Sequence, residues 1–176
     1  MKTIIEVLVL FFIAANVITE WVNRKTLSPF TNPMSAYLAG VKWASLQVAG
    51  FLGLALALPL VARQFGDVPS FLSLGLAALA IVVVVATKWI IYESGNAAEK
   101  AALERVHVIA AGVAFAGTNL ALLMYTWNHG PRWALFAALG APVSAALFAR
   151  FAPKQTSVEE KVYAALLMFS LLILFH

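Results

Sequence analysis

Six stretches of about 20 residues in this chain are apolar nearly throughout, and a helix of that length crosses roughly 30 Å of hydrocarbon. They run approximately over 3–21, 40–62, 70–92, 105–127, 133–151 and 157–175. Only 11% of the 176 residues are charged and 62% are hydrophobic, whereas soluble chains carry roughly a quarter charged residues. A water-soluble domain is excluded. The pattern predicts an all-α, polytopic membrane protein, a single domain over 1–176 made of a bundle of six transmembrane helices. Lys2 ahead of the apolar run from Val7 to Ala15 resembles the start of a signal peptide. No small-x-small cleavage site followed by a soluble domain comes after it, so the run reads as the first span.

The absence of cysteine excludes disulfides, thiolate catalysis and Cys-ligated metal. The net charge of +4 comes from Lys and Arg in the connections. That is ordinary membrane topology and gives no nucleic-acid partner. Arg24, Lys25, Lys42, Lys88, Lys100, Arg105, Arg150, Lys154 and Lys161 fall on one side, against Lys2, Arg63 and Arg132 on the other. The positive-inside rule then puts the first, third and fifth connections in the cytoplasm of a multi-pass cell-membrane protein, with both termini extracytoplasmic.

The longest interruption is Ser28 to Trp43, SPFTNPMSAYLAGVKW. Pro29 and Pro33 each fix a backbone angle and remove a donor, so an ordered non-helical connection carrying Asn32, Ser35 and Tyr37 is expected. On the first span, Glu6, Asn16 and Glu20 fall within a sector of about 80°, a polar stripe that must face protein or the two interfaces. On the third, Lys88 is set to snorkel or to pair with Glu93 or an anion. Ser70 is a candidate N-cap of the third span, and Ser94 or Asn96 of a short interfacial helix holding Glu99, Lys100, Glu104 and Arg105. His107 and Thr118 share a face of the fourth span with Ala110, Ala111 and Ala114 between them, predicting close helix contact. Gly140 and Pro142 predict a kink in the fifth span. In TSVEEKVY, Ser157 followed three residues later by Glu160 has the spacing of a capping box.

An even number of crossings puts the first and third connections on one membrane face. There Asn32, Ser35, Tyr37, Lys42, Lys88 and His107 form a candidate ligand-binding set, with membrane lipids as partners. Ser35, His107 and Glu93 are the parts of a nucleophile, base and orienter, the candidate catalytic set of a lipid hydrolase or transferase. No G-x-S-x-G spacing accompanies them, and interfacial hydroxyls and histidines also serve as caps. His107 and His129 are about 33 Å apart along a helix and cannot share a centre. His129 and His176 reach one side, with only Asp67 as a further ligand, so neither a metal site nor a cofactor is expected. Transport would show ionisable groups at mid-depth or matching broken helices. Here the middle of the bundle offers Asn16, Asn119 and hydroxyls.

NPMSAY after the first span, HVIAAGVAFAG opening the fourth and EEKVYAALLMFSLLILF forming the last together resemble a six-helix bacterial and archaeal membrane family, domain of unknown function nine hundred and ninety-eight. The resemblance covers essentially the whole chain. It implies the six-helix fold and marks Ser35 and His107 as the positions matching the family's recurrent polar residues. The aspartate that the family pattern expects before the fourth span is missing, and Glu93 stands further upstream. The function expected is binding of a lipid or small amphiphile in a polar pocket at one face, or service as an accessory subunit with a membrane-protein or homo-oligomeric partner. The membrane-embedded lipid enzyme is the alternative.

Overall fold

The computed structural model describes residues 1–129, 139, 142–143 and 156–174. Its elements are α1 (Lys2–Asn23), a 3-10 turn (Met34–Tyr37), α2 (Ala44–Phe65), α3 (Val68–Glu93), α4 (Ala97–Asn128) and α5 (Thr156–Ile173). Helix is what apolar sequence must form in lipid, where every backbone N–H needs a partner from its own segment. Helices α1 to α4 are long and apolar enough to cross a membrane, which makes this a multi-pass all-α membrane protein. Helix α5 carries Glu159, Glu160 and Lys161 in its first two turns. The expected fifth span, 133–151, lies outside the described residues apart from 139, 142 and 143.

Three local expectations are corrected. Helix α4 starts at Ala97, so Glu99 to Arg105 form its first turns and not a separate interfacial helix. Nothing between Ala97 and Ala111 breaks a helix, and Asn96 caps it by accepting from the N–H groups of Ala98 and Glu99. The cap of α3 is Asp67, whose carboxylate accepts the Ser70 N–H at 2.7 Å, and Ser70 lies inside the helix. Pro69 occupies an early helical position where a missing donor costs nothing. Helix α5 begins at Thr156, so Ser157 is already helical and forms no capping box with Glu160.

Consecutive helices α1 to α4 pack as neighbours, and α5 lies against α4 and α1. The α3/α4 seam is lined with small residues, with Ala77, Ala80, Ala110, Ala114 and Ala121 all buried. A Cβ on Gly50 would come within 2.8 Å of Ala15 Cβ, so α1 and α2 cross at contact distance there. His107 and Thr118 face this interior, as their shared face with the alanines predicts. Exposed Trp21, Trp43, Trp89 and Tyr92 ring the end of the bundle that carries the first connection, and exposed Trp127 marks the other end. Such rings settle at the two membrane interfaces.

Candidate functional site

The first connection folds inward. Asn32 donates to Ser28 O at 3.1 Å and closes a turn after Pro29. Pro33 then leads into the 3-10 turn, whose Ser35 is 9% exposed and Tyr37 fully buried. The Tyr37 hydroxyl donates to Leu27 O at 3.4 Å. Burial, with the Glu20 carboxylate adding to it, pushes this phenol above its usual range. Gly40 has φ +73° and sits against the Tyr92 ring, where any Cβ would fall 2.4 Å from Cε2. The positive φ favours glycine, and the contact ties the connection to the end of α3.

Two buried amides from α1 and α2 hold the connection. Asn23 donates to Thr19 O and Lys42 O, each at 2.8 Å, and accepts the Lys42 N–H at 3.1 Å. The next residue, Trp43, takes the left-handed conformation at φ 64°, a strain of roughly 1–3 kcal/mol that this anchor beside it offsets. Gln47, fully buried, donates to Asn16 Oδ1 at 2.7 Å and to Met34 O at 2.9 Å.

Helix α5 completes the enclosure. Ser157, Glu160 and Lys161 are spaced i, i+3, i+4 and so lie on one face. The Ser157 hydroxyl donates to Phe30 O, the Lys161 ammonium donates to Pro29 O, and Glu160 Oε2 accepts the Met34 N–H at 3.3 Å. Lys161 also pairs with Glu20 of α1 at 3.0 Å, both side chains being about one-fifth exposed or less. A proline-broken loop whose backbone has no ladder to join is thus satisfied by three side chains of a distant helix.

Below the Glu20–Lys161 pair runs a groove of about 330 Å3 between α1 and α5. Its walls are apolar, among them Phe12, Ile13, Val17, Met168, Phe169 and Leu172. Val17 and Phe169, 62% and 57% exposed, stand at its rim, so it opens to the surface that α1 presents to acyl chains. Behind it a smaller cavity of about 50 Å3 is lined by Ser35, Glu160, Thr118, Val84 and Ala111 among others.

The residues singled out from the sequence take separate places. Lys42 exposes its side chain and lends its backbone to Asn23. Lys88 pairs with Glu104 at 3.6 Å, not with Glu93. His107 is buried, with Nδ1 3.1 Å from Thr87 Oγ1. Ser35 shares the smaller cavity with Val84 and Ala111, each one helical turn deeper than Thr87 and His107. Among the described residues no hydrogen bond joins any two of Asn32, Ser35, Tyr37, Lys42, Lys88, Glu93 and His107, and no three His, Asp or Glu side chains cluster in a way that could hold a metal. Of the polar stripe on α1, Asn16 and Glu20 enter the site. The partner the sequence concealed is Lys161, whose signal was the i, i+3, i+4 spacing of Ser157, Glu160 and Lys161.

Comparison with protein-family models, with curated proteins and with solved structures gives no match for this chain.

Proposed function

We propose that this protein binds a membrane lipid or similar amphiphile in the α1/α5 groove. The observation that carries the reading is a lipid-facing apolar groove of about 330 Å3 ending at a part-buried ion pair, Glu20 with Lys161. A volume near the lower end of the roughly 300–1,000 Å3 of small-molecule sites suits one acyl chain, with the rest of the lipid left in the bilayer. Asn16, one turn deeper and 7% exposed, is already engaged with Phe12 O and Gln47, so a headgroup meets Glu20 and Lys161 first. The reading includes a six-span bundle of the kind that the resemblance to domain of unknown function nine hundred and ninety-eight implies. In this reading the bundle lies in a cell membrane with both termini extracytoplasmic.

Substituting Ala165, an exposed residue of the groove wall, by Trp fills the channel. Co-purifying lipid, counted by mass spectrometry, should fall by about one molecule per protein relative to wild type, with Leu76→Trp on the exposed face of α3 as control. Equal lipid in all three proteins would refute the site. The enzymatic alternative through Ser35 and His107 has no hydrogen bond between those side chains to support it.

A further inference from the structure

Resting on the groove reading above, we infer that the bound amphiphile carries a primary amine on its headgroup, and that Glu20 selects it. Hydrogen-bond capacity makes the argument. An ammonium has three donors, and Lys161 commits two of them, to Glu20 and to Pro29 O, leaving one. A carboxylate has about four acceptor positions, and Lys161 is the one donor to Glu20 among the described residues. The end of the groove therefore offers acceptors in excess of donors.

Charge points the same way. At this end of the bundle a second carboxyl, that of the part-buried Glu160, lies next to Lys161 in sequence but does not line the groove. Its Oε2 is occupied by the Met34 N–H, which leaves Glu20 as the acid open to the groove. A purely anionic headgroup would meet Glu20 with like charge in a setting only partly screened by water. An aminophospholipid satisfies both partners, its N–H donors on Glu20 and its phosphate on the spare Lys161 donor. A quaternary ammonium has the charge but no N–H to give.

The test is native mass spectrometry of the full chain after exchange into an equimolar mixture of phosphatidylethanolamine, phosphatidylcholine and phosphatidylglycerol with identical acyl chains. The wild type should be enriched in phosphatidylethanolamine by about tenfold over each of the others, the size expected of one charge-assisted hydrogen bond. Glu20→Gln should bring the three to near parity, and Ala165→Trp should abolish all three. Equal retention of the three lipids by the wild type, or preference for phosphatidylglycerol, overturns the amine selectivity and leaves the groove standing. Retention of none overturns the groove reading itself. Because the wild-type ranking decides the question, the result holds even where Glu20→Gln folds poorly, and Glu20→Asn gives a second variant without the charge.

Discussion

Glu160 Oε2 accepts the backbone N–H of Met34 at 3.3 Å, joining α5 to the 3-10 turn 126 positions earlier. Met34 is 5% exposed, so water is a poor substitute for the carboxylate. Glu160→Ala strands a buried donor and should cost about 1–3 kcal/mol, while Glu160→Gln keeps an acceptor and should cost less. Thermal unfolding in detergent, with proteolysis across residues 28–43, checks the order.

Asn23 should be among the least replaceable polar residues. Its side chain makes three hydrogen bonds, two of them to the backbone of Lys42 beside the strained Trp43. Asn23→Leu removes all three and leaves both Lys42 backbone groups without this partner, a loss of about 2–4 kcal/mol. Asn23→Asp loses the two donated bonds and should fall between. A melting temperature unchanged in Asn23→Leu would show that the anchor is dispensable.

The two ion pairs should differ in worth. Lys88–Glu104, at 3.6 Å with Glu104 47% exposed, is of the kind that contributes about 0–1 kcal/mol. Glu20–Lys161 is shorter and drier, and Lys161 also holds Pro29 O. Glu104→Gln should leave the melting temperature nearly as it was, and Glu20→Gln should lower it measurably. Adding salt should narrow the first small difference more than the second.

Gly40→Ala meets two obstacles, a positive φ and the Tyr92 ring. A double-mutant cycle separates them. Tyr92→Ala should recover the steric part of the loss, leaving about 1 kcal/mol or more of backbone strain. Full recovery would assign the whole effect to the ring.

Tyr37 links stability to alkaline pH. Its folded phenol holds a proton more tightly than the unfolded one. The associated stability is present below the unfolded value near 10 and is lost as pH rises through the higher folded value. Tyr37→Phe should therefore soften the decline of the melting temperature above about pH 10, and a decline identical to wild type would contradict the linkage.

What could be read from the sequence was what neighbouring residues decide. The apolar runs gave α1 to α4 within a few residues, apart from α4's early start, and Ser94 or Asn96 as a cap, of which Asn96 serves, because hydropathy and capping act over one or two turns. Ser157 and Glu160 misled for a physical reason: three-residue spacing serves a capping box and a docking face equally well, and the choice depends on whether a loop more than 120 positions away needs partners. Lys161 could not be matched to Glu20 because nothing local relates α5 to α1. Asn23 lies at the end of α1, and its role depends on the path of Lys42, 19 positions later, which no local pattern encodes.

The clasp between residues 29–34 and α5 also orders events during synthesis. Until the ribosome has delivered residues 157–161, the carbonyls of Pro29 and Phe30 and the amide of Met34 have to find temporary company in headgroups, water or the insertion machinery. This bend thus reaches its final shape only when a segment more than 120 positions later is in place, and a nascent product cut short before that point would carry an unfinished bend at its membrane surface.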